Sequence, residues 1–264
     1  MKKYLHVFAI GLQNTLQRRS SLIMDRIGGI AVLLTLYYFW TSLLAGKSSF
    51  IGYSRVQMLS YVLVMNLLRA FVFTGRGWEI VNEISSGRLS SWLLRPIRYE
   101  GYTLALDFSQ KTIHLCAALL EVGVLIAFFH APLYWPEHPV TWVLFVAGVM
   151  LSSLLYFLIE FLVASIAFWT SESGGPLFCF ELFLQFAAGL FFPLDVLPKA
   201  LQAALRLTPF PYIVFFPLNI YLEKIGSVEA VKILLIQGFW LILLYTAVEA
   251  QWRRGLRSYA AEGG

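Results

Sequence analysis

Charge is scarce in this chain. Of its 264 residues only 13% are Asp, Glu, Lys or Arg, where a soluble domain carries about 25%. So little charge cannot clothe a water-facing surface, which excludes an ordinary soluble globule. Cysteine is scarcer still. Cys116 and Cys179 are the only two, and both lie in apolar runs, so neither a disulfide nor a cysteine metal site is expected. The four histidines show no ligand spacing. There is no G-x-x-x-x-G-K-[ST] phosphate loop, no H-E-x-x-H and no G-x-S-x-G, so the chain carries no recognisable engine for ATP hydrolysis or peptide or ester cleavage. No inverted internal repeat is visible either, which weighs against a secondary transporter built on one.

What is present is apolar: 59% of residues are hydrophobic and 16% aromatic, and charge-poor windows of bilayer length recur. The expected fold class is an all-α polytopic membrane protein, a single transmembrane domain over 1–264. Six transmembrane helices are expected at 27–45, 57–75, 109–130, 140–169, 177–193 and 229–250. Residues 2–20 are amphipathic. Tyr4, Leu5, Phe8, Leu12, Thr15 and Leu16 recur near helical spacing, with Lys3, Gln13, Gln17 and Arg18 elsewhere. This reads as a helix in the membrane interface, or as a cytosolic helix packed on a partner. Met1-Lys2-Lys3 could open a signal peptide, but no small-residue cleavage site follows Arg18-Arg19, and the segment is expected to be retained. Ser171-Glu172-Ser173-Gly174-Gly175-Pro176 reads as a turn. Over 194–227 prolines break the apolar pattern into pieces too short to span, which predicts a re-entrant outer segment that protein or a wet cavity must cover.

Net charge is +5, but the basic residues sit at the ends of apolar segments and do not form a nucleic-acid surface; no nucleic-acid partner is expected. Thirteen lie in the segments assigned to the inside and six in those outside or at their edge, which orients the chain N-in and C-in.

The longest charged stretch is 76–107. A helix over about Trp78–Ser86 would end at Gly87, with Glu79 and Glu83 one turn apart and Arg95-Pro96 forcing a turned exit. Such a short charged helix suits a groove on a cytosolic protein; an ordinary cytosolic loop fits the pattern as well. Arg69, Glu121, Glu160 and Glu181 fall inside or near the ends of the apolar spans. Each costs at least about 2.5 kcal/mol at the centre of a span, so each needs a partner or a wet cavity. Depth pairs Arg69 with Glu160 and leaves Glu181 to snorkel or to serve the same arginine. Glu121, near mid-depth, has no evident partner. The carboxylates either face a transport path and attract cations or form internal ion pairs. An ion-gradient-driven transporter using them is the alternative function; a self-sufficient membrane enzyme lacks any acid–base constellation.

Two stretches carry a resemblance. Glu83-(x)3-Gly87-Arg88-Leu89-(x)4-Leu94-Arg95-Pro96 is similar to the cytosolic loop of ABC-2 type permeases. Gly189-Leu190-Phe191-Phe192-Pro193-Leu194-Asp195-Val196-Leu197-Pro198, followed by Thr208-Pro209-Phe210-Pro211-Tyr212, resembles their extracellular re-entrant segment. The nearest branch is the multidrug and viologen-exporter-like subgroup of similar length. The resemblance implies the membrane subunit of an ATP-driven exporter, multi-pass in a bacterial plasma (inner) membrane and not itself an enzyme. It implies two ABC ATPase subunits per complex, a second permease, identical or related, and surrounding lipid. ATP and Mg would sit on the ATPase, with no cofactor on this chain. It places ATPase coupling on Trp78, Glu79, Asn82, Glu83, Gly87, Arg88, Arg95 and Pro96, and an outer gate on Phe192, Pro193, Asp195, Pro198, Pro209 and Pro211.

Overall fold

A computed structural model describes residues 2–47, 49–170 and 174–259; of the expected turn at 171–176, residues 171–173 lie outside the described residues and Gly174–Pro176 open a helix instead. The chain starts with α1 (Lys2–Gln17) and α2 (Arg19–Leu43), which meet at a break at Arg18. A two-residue hairpin follows, β1 (Ser49–Phe50) pairing antiparallel with β2 (Tyr53–Ser54). Ile51 and Gly52 both have positive φ in its turn, the twist that tight hairpins favour. Ser54 and Gln57 then form a reciprocal capping box (Gln57 N–H to Ser54 Oγ 3.2 Å, Ser54 N–H to Gln57 Oε1 3.0 Å) that starts α3 (Arg55–Val72).

α4 (Gly77–Ser85) and α5 (Leu89–Leu93) are short, and α6 (Tyr99–Phe129), α7 (Pro139–Ala164) and α11 (Ser227–Ser258) are long. Buried shares separate the spans. In the window running through α3 into α4, 67% of residues are buried, against 11% for α2 and 17% each for α6 and α11. α3 is therefore the hub, and the other three turn apolar side chains such as Leu120, Phe128, Leu235 and Ile242 outward, where lipid can cover them.

Several boundaries differ from the sequence reading: α2 starts at 19 instead of 27 and α11 runs to 258 instead of 250. α6 starts ten residues before the expected 109 because Tyr99–Phe108 continues its helix as the seat for α1. Gly11 of α1 rests on Leu106 and Ser109, and Gly101 of α6 on the Tyr4 ring. The span expected at 177–193 is the 15-residue α8 (Gly174–Ala188), about 22 Å long at helical rise and short of a ~30 Å hydrocarbon core. Gly189, at φ +86°, ends it, and Pro193 prevents its resumption. Among the described residues five helices are long and apolar enough to cross a membrane, and a sixth is counted if the bent pair Lys199–Arg206 and Phe210–Tyr221 is taken as one span.

That pair, α9 (Lys199–Arg206) and the helical stretch ending in α10 (Phe215–Tyr221), bends by 79°. α9 lies at the surface with no buried residue, whereas every residue of α10 is buried. The Tyr212 carbonyl accepts from Ser152 Oγ at 3.1 Å and from Gln237 Nε2 at 2.7 Å. Ser152 is about 20 Å along α7 from its start. Tyr221 is back near that start, against Trp142 and Phe145. The segment thus dips and returns on one side, and its irregular backbone is satisfied by polar groups from α7 and α11, as an apolar surrounding requires.

Candidate functional site

α4 is amphipathic. Ile80, Val81 and Ile84 are buried in a cluster with Phe157, Phe161 and Ala164 of α7, Leu177 of α8, Tyr99 of α6 and Trp252 of α11. Trp78, Asn82 and Ser85 stay exposed on the other side. The helix ends where the sequence places its stop: Gly87 has φ +75°, a conformation that costs other residues more. Past it, Arg95 stacks over Trp92 at 3.9 Å, the Pro96 carbonyl accepts from Lys3 Nζ at 3.1 Å, and Leu94 is 88% exposed.

The start of α4 has no side-chain cap of its own. Glu160 from α7 supplies one: its Oε2 accepts the Arg76 N–H at 3.1 Å. A carboxylate there also meets the positive end of the helix dipole. The fit requires glycine. A Cβ on Gly77 would lie 2.8 Å from Glu160 Cγ, and one on Gly75 would overlap the carboxylate. The first turn has a second tie, from Trp78 Nε1 to Glu181 Oε2 of α8 at 3.4 Å. At the far end the Tyr99 hydroxyl donates to Glu83 at 2.6 Å, Arg76 stands 4.0 Å from Glu83, and Tyr99 stacks on Trp252 at 5.1 Å.

Three expectations are corrected. Arg69 does not pair with Glu160: among the described residues Arg69 makes no ion pair, and Glu160 bonds backbone instead. Glu121 has the partners that depth alone did not reveal, Arg26 at 3.7 Å and Asn66 Nδ2 at 3.2 Å. Glu83 does not lie on the exposed face of α4, because Tyr99 and Arg76 hold its carboxylate inward; Glu79 is half-buried, and the exposed face is Trp78, Asn82 and Ser85. Another charged pair was missed. Asp107 and Lys111 meet at 2.7 Å, both with fully buried side chains, and Lys111 Nζ also donates to Ser153 Oγ at 2.9 Å. The i,i+4 spacing was a usable signal, but the expected border between loop and span fell between the two residues.

A cavity of about 1100 Å³ lies beside α4, walled by α1, α2, α3, α4, α6, α7 and α8. Its lining includes Arg26, Asn66, Arg69, Arg76, Glu79, Glu83, His114, Glu160 and Glu181. Polar groups from spans and from the α4 region therefore share one space. Among the described residues no group of three or more His, Cys, Asp or Glu could hold a metal.

At the opposite end the expected gate residues are built into a hydrogen-bonded cap. Asp195 accepts from the Tyr53 hydroxyl at 2.6 Å and lies 3.9 Å from Lys224. Phe192 packs near Phe186, Pro193 is buried, Pro198 precedes α9, and Pro209 and Pro211 frame the 3₁₀ turn Phe210–Tyr212. Beside them Glu223 accepts from the Tyr134 hydroxyl (2.8 Å), the Glu137 and His138 N–H groups (3.2 Å each) and Thr141 Oγ1 (2.9 Å). Desolvation pushes the Glu223 pKa up, but these donors and the His138 ring outweigh it and hold the carboxyl down at about 2. Desolvation and the Glu223 contact push the Tyr134 hydroxyl up to about 12.

A bundle of apolar spans with a short amphipathic helix at one end and a re-entrant cap at the other defines a multi-pass membrane protein with an internal cavity. Residues 30–263 match the profile of the ABC-2 family transporter proteins, and the chain belongs to that family. A comparison with curated proteins finds no significant match. Membership makes it the membrane component of an ABC transporter, the part that does not itself carry out catalysis, and implies association with ABC ATPases.

Proposed function

We propose that this chain forms the translocation path of an ATP-driven exporter and that the 76–107 segment couples it to a separate ATPase. The observation that carries the reading is the build of α4. Its inner face is fixed to four other helices through Ile80, Val81, Ile84 and Glu83, while Asn82, Ser85 and the exposed part of Trp78, whose indole N–H reaches Glu181, are left for a partner beside the 1100 Å³ cavity. A rigidly held helix with an unoccupied polar and aromatic face suits a groove on another protein. ATP and Mg²⁺ then bind to the partner, since the chain has no phosphate loop. Two ATPase subunits would serve two permeases, this chain with a copy or a relative.

Gradient-driven transport is the weaker reading. It needs a carboxylate free to load a cation, whereas Glu121, Glu160 and Glu181 each have a donor within the chain.

The test is recovery of an ATPase with the affinity-tagged chain in mild detergent. An ABC ATPase is expected to co-purify, and the double variant Asn82→Arg, Ser85→Arg should lower its recovery about tenfold or more, as for a central contact of an interface. Recovery that is unchanged in the variant would remove α4 as the docking element.

A further inference from the structure

We propose that Glu160 is a positioning residue that transmits movement between α7 and the docking helix α4. The inference rests on α4 being the ATPase-docking element.

Glu160 is a carboxylate in a span, only 5% exposed, and among the described residues it forms no ion pair. An ionisable group in such a place is retained for a reason. One ordinary reason is excluded by its contacts, since it does not neutralise Arg69. Although Glu160 borders the cavity, its Oε2 is engaged by the Arg76 N–H and the group is pressed onto Gly75 and Gly77. What it does hold is the N-terminus of α4, which has no cap of its own. The polar tie is matched by an apolar one: Phe157 and Phe161, on the same stretch of α7, pack in the cluster that buries Ile80, Val81 and Ile84. A shift of α7 along or about its axis therefore moves the cap and the seat of α4 together.

α7 also reaches the other side. It has 26 residues, about 39 Å at helical rise, and its outer end is where Glu223 holds Glu137, His138 and Thr141. One rod thus joins the outer cap to the docking helix. Glu181 supports the same turn through Trp78, but at 3.4 Å it is the looser contact, and Glu160 is assigned the main role.

The test uses hydrogen exchange on the native tagged complex in nanodiscs, comparing wild type, Glu160→Leu, Glu160→Gln and Gly77→Ala. Glu160→Leu should raise exchange of the 76–81 amides about tenfold or more, the loss expected when a buried donor is left without its acceptor, with α11 amides unchanged. Glu160→Gln keeps an acceptor oxygen and should restore most of the protection. Gly77→Ala, which displaces the carboxylate from the other side, should mimic Glu160→Leu if that variant fails to fold. The second readout is the response of outer amides in 134–141 and 210–224 to trapping the ATPase with Mg²⁺, ADP and vanadate. Wild type should respond, and Glu160→Leu, with ATPase still bound, should not. Unchanged 76–81 exchange in both Glu160→Leu and Gly77→Ala overturns the proposal. A loosened α4 with an intact outer response overturns transmission and leaves Glu160 a packing residue. Absence of any ATPase from the wild-type preparation sinks the docking function instead, while the exchange of 76–81 still decides whether Glu160 holds α4.

Discussion

The two ends of α7 use the same device with opposite construction. At the outer end a carboxylate from elsewhere, Glu223, caps the start of α7 through two backbone N–H groups, two hydroxyls and an imidazole, in a partly solvated place. At the inner end α7 supplies the carboxylate, and Glu160 caps α4 through one hydrogen-bonded backbone N–H in a buried place. Redundant bonding makes the outer cap tolerant, since the loss of one donor leaves the others. The inner cap has only the longer Trp78–Glu181 bond beside it. The glycines opposite it leave space for the carboxylate and nothing else, so its integrity depends on shape as much as on the bond. A tolerant clamp suits a closed outer face, and a single-contact clamp suits a joint.

Asp107 gives the reference for both, being a buried carboxylate with a lysine partner. Lys111→Met should have the largest effect of the changes considered, about 3–5 kcal/mol of stability, because it leaves the Asp107 charge buried and unpaired. Thermal unfolding in detergent measures it, and Asp107→Asn combined with Lys111→Met should recover much of the loss. If the single and double variants melt alike, the pair is not charged in the folded protein and the reference fails. Next comes Gly75→Val, which expels Glu160 from its seat. A carboxylate end can often swing away, but here it is surrounded. The expected cost is about 2–4 kcal/mol, from overpacking plus a lost charged hydrogen bond. A melting temperature equal to wild type would mean that the inner cap is as tolerant as the outer one.

These contrasts were unevenly legible in the sequence. The bounds of α4 were readable because its signals are local: a left-handed stop at Gly87 and apolar residues at 80, 81 and 84. The apolar spans were readable for the same reason. The partners of the buried charges were not. Depth along a helix suggested Arg69 for Glu160, but which groups meet depends on how helices rotate about their axes, and the true donor, the Arg76 N–H, is a backbone group with no side-chain signature. Glu121 needed Arg26, seven residues into a helix that begins earlier than the expected span. The short α8 was overextended because Leu190, Phe191 and Phe192 continue its apolar run beyond the glycine that ends the helix.

The outer cap should show its own signature in acid. Its carboxyl is held at about 2 against an ordinary 4.5, so the folded state binds this proton less readily than the unfolded one. Its contribution is full above pH 4.5 and is lost as the pH falls through 2. The protection of the 137–141 amides, taken relative to intrinsic exchange at each pH, should therefore fall as the pH drops through that window in wild type. In Glu223→Gln it should be lowered already at neutral pH, by a modest factor because the amide oxygen still accepts. A flat profile for wild type would show that the donors around Glu223 do not favour its charged form, and the contrast between a charged outer clamp and a shape-dependent inner one would lose its basis.

The smallest effect should come from Trp78→Phe. The change removes the indole N–H that reaches Glu181 at 3.4 Å but keeps a ring against Gly174, whose added Cβ would lie 3.0 Å from Trp78 Cζ3. A long, partly exposed hydrogen bond contributes about 0.5 kcal/mol, so the melting temperature should move by a degree or two at most. The exchange of the 76–81 amides should stay near wild type, because Glu160 still caps them. If Trp78→Phe instead loosens α4 as much as Gly75→Val does, the weight of the inner clamp lies on α8 rather than α7. The rod from the outer cap to α4 would then end one contact short.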